Sequence, residues 1–408
     1  MVKNLYTVIT KTASYIPTEI ITNENFLNSV FYDSKGNIIE KSNEEIIQKF
    51  YNITGILERR RVTDDLVTSD IGGFVAKDCY FIDDEKNLKY LIFAHNFGDV
   101  KADNKKSDFV PSLAARVKNK LKIKNPWIVA YDLPFGCPGW LEGVIHADDR
   151  LKKGEKAIVI GAETLSRISD PHDIDSMIYA DGAGANLLEK VESEEPVGIL
   201  SHASRSDALD YAYMLRMDKS YNPHYKGNEL FLKMDGHSLY EYALKNVPGV
   251  VKKVLDKARL SLKDVKKILI HQANEKMDEA IVRRLFKLYG EKPSKQEIQN
   301  IMPMVIPWLG NSSVATLPTL LDLINWNKDS KTPMPEIMKR NNFIVPPPRD
   351  LGFSQGSEKE SGVVNIREDI VNARKNEFRN HKIERGDVVV FASVGAGMNI
   401  NSVIYKFP

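Results

Sequence analysis

The sequence predicts an α/β protein in which mainly parallel strands are covered by helices, and two observations carry that prediction. First, short β-branched runs alternate with helical patterns: YLIFAHNF, PSLAARVKNKL, WIVAYDLPF, WLEGVIHADDRLKKG and KAIVIGAE. Second, AIVIGAETLSRI with ADGAGANLLEKV is echoed by VVVFASVGAGMNINSVIYKF at the carboxyl end. We therefore expect two related lobes, residues 1–194 and 195–408, divided near Glu194–Val197, where acidic residues and Pro196 interrupt the pattern.

Three segments look like additions to this plan: residues 33–45, 288–307 and about 327–385. The last is polar and contains three successive prolines, Pro346–Pro348, followed by GFSQGSEKES. This composition is typical of a loop or lid and not of core.

Bulk composition excludes several classes of protein. The 408 residues are 42% hydrophobic and 27% charged, as in ordinary globular proteins, and the net charge of +2 is too small to indicate a nucleic-acid binder. No apolar run approaches the roughly 18 residues of a membrane helix, and the amino terminus lacks a secretory signal pattern. Only two cysteines are present, so we expect a reducing, cytoplasmic environment.

Cys137 is the first candidate for chemistry. An apolar run ends at Phe135, Gly136 permits a tight turn, and Pro138 suits the first position of a helix. A thiol at a helix amino terminus is expected to have a lowered pKa, as a nucleophile requires. The alternative is an inert buried thiol, which is the interpretation we give to Cys79.

Two further candidates follow apolar runs or turns. His271 ends the strand-like run KKILIH and could donate a hydrogen bond or act as a base, although an isolated histidine is more often structural. Asn311 lies in WLGNSSVATLP, where a turn or helix cap is the simpler interpretation. The turn Gly395–Gly397 could present backbone amides to an oxyanion.

Taken in order, GCPGWLEGV, GAETLSRISDPHD, ADGAGANLL, LKMDGHSLYEYAL, ILIHQAN, LGNSSVATLP and SVGAGMNI resemble type III β-ketoacyl-ACP synthases of the thiolase superfamily. The resemblance begins at TASYIPTEIITNENF and TGILERRRV and covers nearly the whole chain apart from the three additions. It implies a thiolase-like fold with two pseudo-duplicated lobes in five layers, α-β-α-β-α. It also implies a homodimer.

The resemblance implies specific roles. Cys137 would carry the acyl group, while His271 and Asn311 would bind the extender carbonyl and stabilise its enolate. The amides of Cys137 and Gly397 would form an oxyanion hole. Substrates would be acyl-CoA or acyl carrier protein, with no other cofactor, and a basic helix would dock the carrier: Lys276, Arg283, Arg284 and Lys287. The alternative for this helix is an ordinary solvated face.

Two departures from the family pattern concern substrate binding. Just before TGI, related enzymes that prime from coenzyme A carry a pair of residues that holds the adenine, whereas this chain has Ile53 there. This difference favours a carrier-bound primer. Arg59–Arg61 could still contact a phosphate. Val394 replaces an aromatic residue that is thought to help expel the carboxylate.

Two other departures resemble the branch that makes dialkylresorcinols or stilbene precursors. Glu142 lies five positions after Cys137 and could point back towards the thiol as a general base for ring closure, or could be a surface carboxylate. The sequence FAHNFGDV places His95 and Asn96 near the primer tunnel of the family.

Several alternatives remain open at this level. They are a fatty-acid initiation synthase, an acyltransferase to an oxygen or nitrogen nucleophile on the same fold, a non-catalytic partner subunit, and an unrelated cysteine hydrolase. The eight histidines show no paired ligand spacing, so no metal site is expected.

Overall fold

A computed structural model describes residues 3–80, 82, 85–324 and 366–408. The first sheet has five strands in the order β1-β7-β6-β4-β5. These are β1 (Asn4–Tyr15), β4 (Leu88–His95), β5 (Val129–Pro134), β6 (Lys156–Thr164) and β7 (Asp181–Ser193). Strand β4 runs parallel to β5 and β6, whereas β7 is antiparallel to β6 and β1.

The second sheet repeats this plan with four strands in the order β11-β12-β13-β8. These are β8 (Gly198–Ser206), β11 (Val265–Ile270), β12 (Val388–Gly395) and β13 (Asn399–Lys406). Here one parallel pair, β11-β12, is followed by two antiparallel pairs, whereas the first sheet has two parallel pairs followed by two antiparallel pairs. The repeated sequence pattern therefore corresponds to a repeated topology, and we infer a lobe boundary between β7 and β8.

Helices cover both sheets and separate them, which gives five layers. Helices α2 (Thr68–Cys79) and α3 (Leu113–Lys120) pack on the outer face of the first sheet. Helices α4 (Gly139–Arg150) and α10 (Thr316–Leu323) lie between the sheets. Helices α6 (Gly236–Lys257) and α7 (Glu275–Leu288) cover the second sheet. The predicted α/β class and layered arrangement are confirmed.

Shorter elements complete the described part of the chain. Two small antiparallel sheets pair β2 (Glu19–Thr22) with β3 (Glu58–Arg61), and β9 (Leu215–Asp218) with β10 (Phe231–Met234). The remaining helices are α1 (Asn43–Thr54), α5 (Ala208–Tyr211), α8 (Lys295–Ile301), α9 (Ile306–Leu309) and α11 (Ile366–Arg379). Within the described ranges, no helix is long and apolar enough to cross a membrane.

The three predicted additions differ in the structure. Segment 288–307 contains α8, and Met302 and Val305 are buried. The end of segment 327–385 forms α11, which buries Val371 and Phe378 in the core between the sheets, so the expectation of a loop or lid is wrong for this part because its apolar side chains have a core to enter. Residues 327–365 lie outside the described part of the chain.

A buried ion cluster joins β10 to the segment before β7. The Lys233 ammonium is fully buried and lies 2.6 Å from the Asp170 carboxylate and 2.9 Å from that of Asp173. Each charge has been removed from water, so each depends on the others for compensation.

We predict that Lys233→Met lowers the free energy of unfolding by about 3–5 kcal/mol, because two carboxylates then stay buried without their cation. The matched control is Lys252→Met, which removes an exposed pair with Asp256 on α6 and should barely change the melting temperature. Scanning calorimetry of both variants checks this. Equal losses of melting temperature in the two variants would show that burial of the Lys233 cluster does not matter.

Candidate active site

Cys137 lies in the turn between β5 and α4, against the turn that joins β12 to β13. Gly136 has a φ of +71°, and a Cβ atom there would lie 2.8 Å from the Ala396 nitrogen. A Cβ atom on Gly395 would lie 2.6 Å from the Cys137 nitrogen. Glycine is therefore required on both sides, and the two lobes meet at the thiol.

Ser313 contacts the thiol directly, and Asn96 in turn holds Ser313. The Ser313 hydroxyl donates to the Cys137 sulfur over 3.3 Å, and the Asn96 side-chain amide donates to the Ser313 oxygen over 3.0 Å. Ser313 has a φ of +54°, which is uncommon for a residue other than glycine. Sequence reasoning missed Ser313, and the second serine of GNSS was its only signal.

Burial raises the pKa of the Cys137 thiol to about 11, with a further rise from the nearby Glu163 carboxylate. The Ser313 hydrogen bond and the residue's own amide act in the opposite direction. The expected lowered pKa is therefore wrong. Cys137 does precede the first turn of α4, but desolvation outweighs the stabilisation that the helix terminus gives to a thiolate.

His271 and Asn311 line the same cavity as Cys137. Burial lowers the pKa of His271 to about 4, so the imidazole is neutral, and its Nδ1 has no hydrogen-bond partner among the described residues. The Asn311 Oδ1 accepts from the Ser313 amide over 2.8 Å. This bond fixes the amide plane and leaves the Asn311 NH₂ group as the free donor.

The cavity has a volume of about 1150 Å³ and brings both lobes together. Its lining includes Cys137, His271, Asn311 and the turn Gly395–Gly397. Cations and a histidine reach it from exposed positions: Lys41, Lys49, Arg216 and His237. Most of the remaining lining is apolar, for example Ile46, Phe50, Ile53, Phe97, Leu165, Ile174, Ile178, Met217, Leu232, Met234, Met277 and Val394.

Two of the departures from the family pattern lie in the cavity lining. Ile53 and Val394 both face the cavity and are apolar. One predicted addition contributes as well, since Ile39 and Lys41 belong to segment 33–45. That segment is therefore part of the site and not a remote decoration.

Glu142 does not point towards Cys137, contrary to our expectation. Its carboxylate accepts from Ser204 over 2.7 Å and from Asn401 over 2.5 Å, and lies 3.5 Å from His146. It is absent from the described cavity lining. The spacing of five residues rotates the side chain away from the nucleophile towards β8 and β13, so Glu142 is a structural carboxylate here.

His95 is also directed away from the cavity, whereas its neighbour Asn96 lines it. The fully buried His95 ring lies 3.1 Å from the Asp132 carboxylate through Nε2, and its Nδ1 accepts from the Gly98 amide over 3.1 Å. Strand β4 ends at His95 and Asn96 belongs to the bend that follows, so the two side chains take different directions. Asn96 lies at the cavity as expected, whereas the expectation for His95 is wrong.

Arg59 and Arg60 cannot serve as phosphate contacts. Arg59 is fully buried and donates to the carbonyls of Met177 and Ile21 and to Asn23. Burial lowers the pKa of Arg59 to about 9 and also lowers the pKa values of Arg60 and Arg61. None of these three guanidinium groups lines the cavity.

The predicted carrier-binding residues are all exposed on α7: Lys276, Arg283, Arg284 and Lys287. Helical spacing places Lys276, Arg283 and Lys287 on one stripe. The first turn of α7 borders the cavity through Asn274 and Met277. The stripe thus begins beside the opening that the other cations reach.

One group of potential metal ligands occurs among the described residues. Asp148, Asp149 and His202 have ligand atoms within 4.8 Å of one another. Lys190 and Thr7 already bind the Asp148 carboxylate. The group does not belong to the cavity lining.

Comparisons with known proteins agree with this arrangement. The 3-oxoacyl-[acyl-carrier-protein] synthase III family matches residues 131–208, which include Cys137. The β-ketoacyl-[acyl-carrier-protein] synthase III of Ehrlichia chaffeensis is 30% identical over 316 residues, covering 76% of this chain and 86% of that protein.

Two solved structures share the fold. The synthase III of Thermus thermophilus has a TM-score of 0.66 at 22% identity, covering 98% of this chain and 99% of its own. The priming β-ketosynthase of the R1128 polyketide pathway has a TM-score of 0.67 at 18% identity, covering 99% and 96%.

A thiolase-like fold with a cysteine, a histidine and an asparagine around one cavity defines the class of thioester-condensing enzymes. Within that class, the chain belongs to the β-ketoacyl-[acyl-carrier-protein] synthase III family. It is an acyl-transferring enzyme that forms carbon–carbon bonds.

We predict that alkylation of Cys137 by iodoacetamide accelerates with pH up to about 11, because only the thiolate reacts and burial holds its pKa there. Ser313→Ala should raise the apparent pKa further, since it removes a hydrogen bond that favours the thiolate. Intact mass against time at each pH gives both pKa values, with Cys137→Ala as the blank. A plateau already reached below pH 8 would contradict the prediction.

Proposed function

We propose that this enzyme condenses an acyl group held on Cys137 with a carrier-bound malonyl-type extender. The observation that carries the proposal is that Cys137, His271, Asn311 and the turn Gly395–Gly397 line one cavity. Each supplies a different requirement of the reaction: a nucleophile, two hydrogen-bonding side chains and backbone amides.

In the first half-reaction, the Cys137 sulfur attacks the carbonyl carbon of an acyl thioester. A new carbon–sulfur bond forms, the old one breaks, and the thiol proton leaves with the departing carrier thiol. Burial desolvates the reacting sulfur, so fixed donors in the protein must stabilise the oxyanion, and the amides of Cys137 and Gly397 are the proposed donors. The Cys137 amide supports this role because it already favours the thiolate.

In the second half-reaction, the malonyl thioester loses CO₂, and the electron pair of the broken bond becomes the enolate. The enolate carbon then attacks the acyl-Cys137 carbonyl, and the thiolate leaves. His271 and Asn311 are proposed to donate to the enolate oxygen. The neutral imidazole suits this role, because it donates a proton in a hydrogen bond without losing it.

The size of the cavity favours a long acyl primer over acetyl. Its 1150 Å³ exceeds the usual upper range of about 1,000 Å³ for small-molecule sites. A fatty-acid initiation synthase with a two-carbon primer would leave most of this apolar volume unfilled. The apolar lining near Ile53 and Met217 gives a chain its contacts.

The same volume supports a second candidate, a ring-forming condensation of two chains to a dialkylresorcinol-type cyclohexanedione. Glu142 is not part of this candidate, because its carboxylate faces β8 and β13. The second carbon–carbon bond would then use His271 again. An acyltransferase to oxygen or nitrogen is less favoured, since it has no use for an enolate-binding pair.

An acyl carrier protein is the proposed partner, docked on the stripe of α7. Phosphopantetheine-linked substrates would enter beside Lys41, Lys49 and Arg216, which reach the cavity from exposed positions. No cofactor besides these thioesters is part of the proposal.

We also propose a homodimer. Strand β5 forms an edge of the first sheet, and Val129 on it is 52% exposed beside Trp127 at 82%. An exposed apolar edge strand is a template for pairing with a second copy. The two free cysteines are consistent with work in a reducing, cytoplasmic compartment.

We predict that the native enzyme gains the mass of an acyl group from an acyl thioester, and that Cys137→Ala gains none. His271→Ala and Asn311→Ala should still be acylated, but should release product from a malonyl carrier about 10²–10³-fold more slowly, because one enolate donor is missing. Intact mass and product analysis by mass spectrometry measure both steps.

Product identity separates the candidates in that assay. A linear β-ketoacyl product supports elongation, a cyclic dione supports ring formation, and an ester or amide supports transfer. Equal acylation of Cys137→Ala would end the proposal.

We predict that Lys276→Glu/Lys287→Glu lowers kcat/KM for a carrier-bound substrate about tenfold relative to the coenzyme A thioester, because the carrier is acidic and the stripe is basic. The control is Lys263→Glu/Lys266→Glu, which reverses two exposed charges at the other end of β11. Steady-state kinetics at two salt concentrations provide the test. An equal effect of both double variants would assign the result to net charge alone.

A further inference from the structure

The turn that joins β12 to β13 has an unusual backbone conformation. Gly397 has a φ of +76° and Met398 a φ of +49°, so two successive residues lie in the left-handed region. This conformation is costly for a residue other than glycine, and it persists only where the surrounding structure fixes it. A turn that carries a proposed oxyanion donor therefore depends on the contacts that hold it.

Two sets of hydrogen bonds hold this turn. The Met398 carbonyl accepts from the Tyr242 hydroxyl over 3.1 Å and from the Asp207 amide over 3.2 Å. The Ala396 carbonyl accepts from the Asn399 side-chain amide over 2.9 Å. Asn399 and Ala396 line the cavity, whereas the other three residues do not belong to its lining. The bond from Asn399 is therefore the one made at the active site.

The Asn399 side chain also lies against Gly397. A Cβ atom on Gly397 would lie 2.9 Å from the Asn399 Nδ2 atom. In the pairing of β12 with β13, Asn399 stands opposite Gly395 and so closes the turn. Any larger residue at position 397 would push the Asn399 amide away, so the glycine keeps room for this hydrogen bond.

The hydrogen bond to the Ala396 carbonyl acts on the peptide unit that also carries the Gly397 N–H. This peptide bond is trans and planar, so its C=O and N–H groups point in opposite directions. Holding the carbonyl therefore also holds the direction of the N–H. The turn is close to the nucleophile, because a Cβ atom on Gly136 would lie 2.8 Å from the Ala396 nitrogen.

We propose that Asn399 is a positioning residue for acyl transfer, because its side chain holds the Ala396–Gly397 peptide so that the Gly397 amide meets the oxyanion. When the Cys137 sulfur adds to the thioester carbonyl, an electron pair moves to the oxygen, and an amide already in place stabilises that charge. The carbonyl then re-forms as the carrier thiolate leaves. The inference rests on the proposed acylation of Cys137 and on the proposed role of the Gly397 amide.

The test compares two reactions of the same thiol. Acylation by a thioester passes through an oxyanion, whereas alkylation by iodoacetamide displaces iodide and forms none. Both reactions need the Cys137 thiolate, so the ratio of their rates reports on the oxyanion site and not on the pKa of the thiol. The acyl donor is the faster of decanoyl-coenzyme A and decanoyl acyl carrier protein with the native enzyme. Intact mass follows both reactions.

We expect Asn399→Leu, which keeps the size of the side chain but removes its donor, to slow acylation about 10–10²-fold, because the Gly397 amide is misaligned. Alkylation of Cys137 should stay nearly unchanged. Asn399→Ala should change the ratio in the same direction, and it replaces the leucine variant if melting temperatures show that the latter is unfolded.

The matched control is Asn401→Leu on the same strand. The Asn401 side chain donates to the Glu142 carboxylate over 2.5 Å and does not belong to the cavity lining. This variant should keep the native ratio of the two rates even where its melting temperature falls.

Three results would overturn the inference while the proposed function stands. They are acylation of the Asn399 variants at the native rate, an equal loss of acylation and alkylation in those variants, and the same change of ratio in Asn401→Leu. Failure of both decanoyl donors to acylate Cys137 in the native enzyme overturns the proposed function as well.

Discussion

The close contact of two turns is the constraint on which the site depends. Cys137 follows Gly136 at the end of β5, and Gly395 ends β12 in the other sheet. A single Cβ atom on either glycine would meet the opposite backbone at less than 3.0 Å. The two sheets can therefore bring their strand ends together only because both positions are glycine. The nucleophile and the proposed oxyanion amides share one cavity for that reason.

Desolvation sets the charge state of this cavity. The thiol of Cys137 has a raised pKa and His271 a lowered one, so both are neutral at ordinary pH. A neutral site suits an apolar acyl chain and avoids an uncompensated buried charge. Negative charge then develops only during the reaction, where fixed donors can stabilise it more strongly than water would. Ser313 illustrates this, since its hydroxyl favours the thiolate form without making it permanent.

The cavity wall distinguishes this chain from a general acyl site. Its size and apolar lining support the proposed long primer, and Tyr179 and Asp175 are polar residues within that lining. Lys233 stabilises the segment that carries these residues, because it pairs with Asp170 and Asp173. One short segment before β7 thus contributes both to the buried ion cluster and to the cavity wall.

The sequence by itself determined the α/β class, the duplicated plan and the motif residues Cys137, His271 and Asn311, because strand periodicity and ordered motifs are local properties of the chain. It misplaced Glu142 and His95, since separation along the chain gives proximity to the nucleophile but not the direction of a side chain. It missed Ser313 and Tyr179, which acquire their surroundings from segments far away in sequence. The sequence also predicted a lowered pKa for Cys137, whereas burial raises it. Only the tertiary structure decides how much water is excluded, and that exclusion outweighs the helix terminus.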